Sequence, residues 1–417
     1  QGRVRFRYCQ TLGKPFETDL MDLTLSPEYA AFRDQIADTL KANAHLAPGP
    51  EDKGLKHPKR LAWQEFLIRE GLTARTIPTE YGGYGAEPDI LKSRIIAEEF
   101  ARSGLPRPLA GQGISMLVPT LLELGSPEQK EAYIERTLKG ELIWCQGYSE
   151  PGAGSDLAAL RTRAVEDGED FVINGQKIWT STARQADMMF CLVRTDPEAK
   201  KHHGITYILF PMDSPGIEVR PLVDMTGAAN FNEVFFTDVR VPKSGVVFEV
   251  NKGWQVANAT LTHERGMLGD PNATKARFVE LVELMKTETV NGQRLIDNPV
   301  LRDRLMALQG EVYAMQANGL RITTKRLKGE SPDLSGLVVK LQGCELNHQI
   351  AGLAIDALGE LGILYEEGEH LRSSGSWQWR YMYDLGLIIG GGTAQIQKNI
   401  IAERGLGMPR EPRPARS

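Results

Sequence analysis

Cysteine is scarce in this chain. Cys9, Cys145, Cys191 and Cys344 are the four present among 417 residues, and no pair has CxxC spacing. That scatter argues against a disulfide framework or a zinc site, and it suits core thiols in a reducing cytoplasm. Long apolar runs are missing too. None approaches the roughly 18 residues of a spanning helix, so no membrane span is expected. Charge of one sign is not concentrated, and a formal net charge of −5 gives no reason to expect a nucleic-acid or membrane surface. There is no internal repeat and no low-complexity segment. What remains is ordinary globular text, 41% hydrophobic and 25% charged. At about 150 residues per domain, the length predicts two or three domains with a sizeable core.

The opening differs from the rest. Arg3, Arg5 and Arg7 alternate with Val4, Phe6 and Tyr8, and no apolar signal-peptide core follows. Met21 begins a more typical passage, MDLTLSPEYAAFRDQ, so residues 1–20 read as an over-long start or an expression remnant. From about 26 to 140 the pattern is helical. Ser26-Pro27-Glu28 forms a helix-start signal, and helices are predicted near 61–71, 88–103, 112–124 and 127–138. From about 141 to 248 the period changes to two. RTRAVEDGEDFVINGQKIW (161–179) reads as two strands around an acidic turn at Glu166-Asp167-Gly168-Glu169. MMFCLVRTD, ITYILFPMD, IEVRPLV and EVFFTDVRV follow as short strands of a small β-barrel or sandwich. From about 251 to 404 helical periodicity returns over 253–268, 273–286, 299–327 and 335–361. An all-α domain over 21–140, a β domain over 141–248 and a second all-α domain over 249–410 are therefore expected.

Two segments offer chemistry. In GYSEPGAGSD (147–156), Gly152 and Gly154 let backbone approach a ligand closely, with Ser149 and Ser155 as flanking hydroxyls. Read alone, this is equally an ordinary structural turn. In INGQKIWTSTARQAD (173–187), Asn174-Gly175 is a tight-turn signal. Lys177, Trp179 and Ser181 then share one face of the next strand at period two, where a Trp beside hydroxyls could pack on a flat heteroaromatic ring. A Trp in a sandwich core is the commoner outcome.

Taken together, these segments resemble the acyl-CoA dehydrogenase family. The likeness extends through VPKSGVV (241–247), GGTAQIQ and the closing KNIIAERGLG, and spans about residues 21–410. It implies an α+β multidomain fold: helical N-terminal domain, small β-barrel or sandwich, and C-terminal four-helix bundle. It implies FAD as cofactor. Ser149 would bond the isoalloxazine edge, Trp179 would pack on the ring, and Thr180 and Ser181 would lie near its reactive nitrogen. Gln146, Tyr148, Thr393 and Gln395 align with further cofactor contacts. Ser155, Thr262 and Arg265 fall at substrate positions, Ser155 at one that touches CoA. It further implies α,β-dehydrogenation of an acyl-CoA thioester, with electrons passed to an electron-transfer flavoprotein.

That chemistry needs a carboxylate facing Cα and donors for the thioester oxygen, each donor worth roughly 3–4 kcal/mol of barrier. Many family members place the base just before the Gly-Thr of the C-terminal motif, but here Gly391 stands at that position. Members of the isovaleryl- and long-chain type carry it on the helix opening the C-terminal domain, directly before an Arg. Here ATLTHERGML (259–268) puts Glu264 before Arg265, and helical spacing sets Leu261, Glu264 and Leu268 on one face. A carboxylate in an apolar stripe is costly unless used, and desolvation there raises its pKa toward that of a base. Glu264 is the expected base, with the Gly391 N–H as a donor to the thioester oxygen; an ordinary surface Glu-Arg pair is the alternative.

Two positions depart from the family. An Arg and a Phe that reach a neighbouring subunit's FAD are missing from KTETVNGQRLID (286–297), where Arg294 lies nearby. The Gln-x-x-Gly-Gly pattern is replaced by Asp356-Ala357-Leu358-Gly359-Glu360. These changes put a homotetramer or homodimer beside a heterotetramer, in which this chain supplies the Glu and a second dehydrogenase-like subunit completes FAD. A flavin oxidase or monooxygenase on the same fold, such as nitroalkane oxidase, is the competing enzyme class, and a scaffold subunit is a third. In the family, a base on the helix goes with branched, long or bulky acyl groups rather than short straight chains, which leaves steroid or terpenoid side chains open.

Overall fold

The computed structural model describes residues 25–410 except 268 and 291, with the side chains of 264–267 and 333 outside the description. The expectation for residues 1–20 lies outside it as well.

The described residues form two compact units, 25–45 with 91–106, and 46–90 with 107–410. In the first, helix α1 (Pro27–Ala42) starts where the sequence signals it. Ser26 is the N-cap, its hydroxyl accepts from the Tyr29 N–H, and Pro27 takes the first turn, where its missing N–H costs nothing. Helix α3 (Ile90–Ser103) carries Lys92 and Glu99, which pair with Glu28 and Arg33 of α1 at 2.9 and 3.4 Å.

In the second unit, α2 (Pro58–Arg69), α4 (Val118–Leu124) and α5 (Pro127–Leu138) are the helices that precede the sheet. Ser126 and Gln129 form a reciprocal capping box at the start of α5. Residues 113–117 wind as a π-turn directly before α4. Gly113 is required there, since a Cβ would meet Trp144 Cδ1 at 2.6 Å.

The sheet strands are β1 (Trp144–Gly147), β2 (Arg163–Asp167), β3 (Asp170–Lys177), β4 (Met188–Arg194), β5 (Ile205–Pro211), β6 (Ile217–Leu222) and β7 (Phe231–Pro242). Their order is β1-β4-β2-β3-β7-β6, with β5 also paired to β4. Strand β4 explains why its text is a continuous apolar run rather than an alternation. Met188, Phe190 and Leu192 face the core shared with the helices, while Met189, Cys191 and Val193 face the interior of the curled sheet. Strand β5 divides likewise, with Tyr207 and Leu209 on one side and Ile208 and Phe210 on the other.

Two local expectations are corrected. Asn174-Gly175 is not a turn. It lies inside β3, at a register shift opposite β7, with Gly175 at φ +152°. A Cβ there would sit 2.7 Å from Thr162 Cα, so the glycine serves a β-bulge against a crossing backbone. Nor does a period-two strand continue through residue 181. Strand β3 ends at Lys177, whose side chain is fully buried, whereas Trp179 is 59% exposed at φ +61°.

Helix α6 (Gly253–Met267) is followed by α7 (Pro271–Thr287), α8 (Pro299–Leu327), α9 (Asp333–Leu358), α10 (Ser376–Ile389) and α11 (Ala394–Ile400). A short hairpin, β8 (Thr289–Val290) and β9 (Gln293–Arg294), links α7 to α8. The bundle core repeats at three- and four-residue intervals. Phe278, Leu281 and Met285 of α7 meet Leu305, Leu308, Val312 and Met315 of α8, Leu346, Ile350, Leu353 and Ala354 of α9, and Trp377 of α10. Among the described residues no helix is long and apolar enough to cross a membrane.

Candidate active site

Strand β1 delivers the first segment. Gln146 is its third residue, and the chain leaves at Gly147 into Tyr148-Ser149-Glu150. Gly147 is forced, since a Cβ would lie 2.6 Å from Met189 Sδ and 2.8 Å from Cys191 Sγ. Glu150 organises the loop that follows. Its carboxylate accepts from the N–H groups of Arg161 and Thr162 at 2.7 and 2.9 Å and from Lys177 Nζ at 2.8 Å. Lys177 also donates to the Tyr148 carbonyl at 3.1 Å. Burial alone would raise the Glu150 pKa, but Lys177 and the two backbone donors outweigh it and hold the carboxyl below its ordinary value. Burial dominates at the neighbouring Cys191 thiol, which is pushed up to about 12 despite Lys177.

The second segment docks onto the first. Ile178 N–H donates to the Ser149 carbonyl at 2.9 Å. Thr180 N–H donates to the Asn232 carbonyl at 3.0 Å, and Asn232 Nδ2 returns a bond to the Thr180 carbonyl at 2.9 Å. Between these anchors the backbone takes a left-handed turn at Trp179, and it does so again just beyond them at Thr182 (φ +59°). Non-glycine residues adopt that conformation at a cost, so a bulky ring held there and left exposed points to use. The Trp179 ring meets Phe231 edge-on at 6.0 Å; Phe231 stacks on Tyr383 of α10, and Tyr383 on Trp379 at 4.6 Å.

Three buried atoms in these segments, Gln146 Nε2, Thr180 Oγ1 and Asn232 Oδ1, meet no hydrogen-bond partner among the described residues. Buried polar atoms are nearly always satisfied, so such atoms beside a strained, exposed indole fit a polar heteroaromatic ligand. Gly152 and Gly154 fit the same reading, because a Cβ on either would meet nothing of this chain within 4 Å. Ser155 is exposed on that loop and Ser149 and Ser181 are half-buried.

Helix α6 joins this region through buried hydroxyls. Thr260 Oγ1 lies 3.0 Å from Thr120 Oγ1 of α4 and 3.5 Å from Tyr207 of β5, which in turn bonds Tyr148. Burial pushes the Tyr207 phenol well above its ordinary range. Leu261 packs on the same core, and His263 Nε2 lies 3.1 Å from Glu123. Thr262 is exposed and donates to the Asn258 carbonyl at 2.9 Å. Glu264 and Arg265 belong to the helical backbone of α6, one turn beyond Thr260.

Gly391, Thr393 and Gln395 lie in a different place, the turn from α10 into α11. Thr393 is the N-cap of α11, accepting from Ile396 N–H at 3.3 Å, and Gln395 is exposed. Among the described residues no hydrogen bond joins this turn to the loop at 147–156; the aromatic row from Trp179 to Tyr383 links the two regions. Sequence reasoning missed Glu150, Lys340 and Gln397. The signal was a charged or amide side chain at an otherwise apolar position, as in VVKLQGCELN.

The fold is that of a family of oxidoreductases. Residues 26–141, 145–239 and 251–406 match, in turn, the N-terminal, middle and C-terminal domains of acyl-CoA dehydrogenase. The chain is 38% identical over 389 residues to acyl-CoA dehydrogenase IpdE1 of Mycobacterium tuberculosis, covering 92% of this chain and 97% of that one. It belongs to the acyl-CoA dehydrogenase family. Among solved structures it is similar to the Tcur3481-Tcur3483 steroid ACAD, with TM-score 0.78, 30% identity, and coverage of 94% of this chain and 100% of that one. The ChsE4-ChsE5 complex from Mycobacterium tuberculosis has TM-score 0.77 and 31% identity over the same shares.

Proposed function

We propose that this chain is the base-bearing subunit of an FAD-dependent dehydrogenase acting on a bulky acyl-CoA thioester, such as the steroid thioester suggested by its likeness to the Tcur3481-Tcur3483 steroid ACAD. The observation that carries the cofactor is the Ser149–Ile178 junction, with its orphaned polar atoms and its exposed, left-handed Trp179. Gln146, Tyr148, Ser149, Trp179, Thr180 and Ser181 would hold the flavin ring system, with Thr393 and Gln395 nearby. Bound FAD supplies the acceptor for the hydride leaving Cβ. Glu264 takes the proton from Cα, so the Cα–Cβ single bond becomes double as both hydrogens depart. The Gly391 N–H donates to the thioester oxygen as negative charge gathers there. Arg265, Thr262 and Ser155 position the CoA thioester, and the electrons pass on to an electron-transfer flavoprotein. Cys145, Cys191 and Cys344 are free thiols, which suits a cytoplasmic enzyme.

An anaerobic spectrum tests this reading. Bleaching of the flavin band by members of an acyl-CoA panel, from short straight chains to branched and steroid thioesters, is the expected result. A yellow protein that no thioester bleaches would point instead to a non-CoA flavoenzyme. Glu264→Gln should retain FAD and ligand but lose bleaching by at least about 100-fold, the lower end of a general base's worth. Near-normal turnover would sink the assignment of the base.

A further inference from the structure

Lysine inside a helical bundle is rare unless its amine is used. Lys340, on α9, is 3% exposed. Its Nζ donates to two backbone carbonyls, Ile388 at 3.1 Å and Gly392 at 2.7 Å. Gln397, also buried, reaches back from α11 and donates Nε2 to the Gly391 carbonyl at 3.1 Å. Three carbonyls around one tight turn are thus held by two side chains from different helices. The turn has no regular structure of its own: Gly391 sits at φ +64° and Gly392 at φ +95°. A Cβ on Gly392 would lie 2.7 Å from Gln397 Nε2, so the glycine leaves room for that clamp. The peptide between Gly390 and Gly391 lies between the held carbonyls. Among the described residues its Gly391 N–H meets no acceptor, while the neighbouring Gly390 N–H is used to close α10 on Gly386 at 2.7 Å.

We infer that Lys340, together with Gln397, is a positioning residue that presets the Gly391 N–H for the thioester oxygen. The inference rests on the dehydrogenase reading above, and it assigns a task to two residues outside the cofactor- and substrate-binding sets proposed there, through their bonds to backbone carbonyls. A donor stabilises developing charge fully only when it is fixed beforehand, because a mobile glycine turn must reorganise during the reaction. Glycine supplies the backbone shape and cannot supply that rigidity; the clamps do.

The test compares wild type, Lys340→Met and Gln397→Leu as holoenzyme, with the partner subunit present if one is needed. Two measurements are made. The first is anaerobic flavin reduction by whichever acyl-CoA bleaches wild type fastest. The limiting rate should fall about 10- to 100-fold in Lys340→Met, less than the roughly 10²- to 10³-fold loss of a whole oxyanion donor. The half-saturating thioester concentration should stay within about threefold, as for a group acting only at the transition state. The second is amide hydrogen exchange without thioester, which should rise at 389–393 and not along α9. Gln397→Leu should show the same split more weakly, and it carries the test alone if Lys340→Met does not fold. Wild-type reduction rates, an equal loss of binding and rate, or exchange rising evenly through the bundle would each overturn the inference. A wild type that no thioester bleaches would sink the dehydrogenase reading instead, and the exchange data would still report whether the clamp holds the turn.

Discussion

Lys177 has no exposed surface and its Nζ lies 2.8 Å from the carboxylate of Glu150, which is itself 9% exposed. A buried pair of this kind contributes less through mutual attraction than through what happens when one member is removed. Lys177→Met should destabilise the protein by about 3–5 kcal/mol, because Glu150 would stay buried beside the Arg161 and Thr162 N–H groups without its cation. Urea unfolding measures it, and a loss under about 1 kcal/mol would show that the loop re-forms around the carboxylate. Glu150 adds a pH dependence of definite sign. Its folded pKa is depressed, so its contribution is present above the unfolded carboxylate value and disappears as pH falls through the folded one. Glu150→Gln should therefore lower the unfolding midpoint near neutrality and flatten the acid limb below about pH 4.5. An unchanged acid slope would count against the pair as its source.

At the scale of the element, strand β3 shows where sequence is ambiguous. Asn-Gly demands a residue tolerant of positive φ, and both hairpin turns and bulges make that demand. The crossing backbone at Thr162 decides for the bulge here, and nothing within a few residues of Gly175 encodes Thr162. Gly175→Ala should cost about 1–3 kcal/mol through strained φ and the 2.7 Å approach to Thr162 Cα. A thermal melt on the variant checks it, and a neutral outcome would mean that Thr162 moves aside. The same locality explains what was legible. Helices α5 and α8 fall on 127–138 and 299–327 as read, because Ser126 and Asn298 cap them and Pro follows each cap. The strands of MMFCLVRTD and ITYILFPMD were legible from β-branched and aromatic content. The period-two face through Trp179 was not, since the left-handed turn there serves the site rather than the strand. Lys340 and Gln397 were illegible for a related reason. Their acceptors are backbone carbonyls of a glycine turn, 48 and 52 residues from Lys340 along the chain, and a carbonyl leaves no mark in sequence.

At the scale of the whole molecule, the two departures from the family converge. Asp356, where the family has Gln, pairs with Arg304 at 2.6 Å. Arg294, the cation nearest the missing Arg, is held by both oxygens of Asp297 at 2.9 and 3.1 Å. Both are surface pairs, with the Arg294 and Asp356 side chains each more than half exposed, so what departs from the family is the residue type at these positions, an Asp in place of the Gln and no Arg or Phe before Gly292. Apolar surface nevertheless remains to be covered: Ile389 at the end of α10 is 65% exposed and Ile363 80%, with Trp379, Tyr381 and Leu385 also exposed along α10. The solved structures named for two components, Tcur3481-Tcur3483 and ChsE4-ChsE5, are the kind of assembly that answers both observations. Purified alone, this chain should bind well under one FAD per chain and be unstable or polydisperse. Produced with a second dehydrogenase-like subunit, it should give a heteromer of defined mass with flavin restored and bleachable by thioester. Light scattering after gel filtration, with flavin absorbance read against protein, decides between the cases. A stable homotetramer carrying one FAD per chain would overturn the two-component reading, and it would require residues other than Asp356 and Arg294 to reach the neighbour's cofactor.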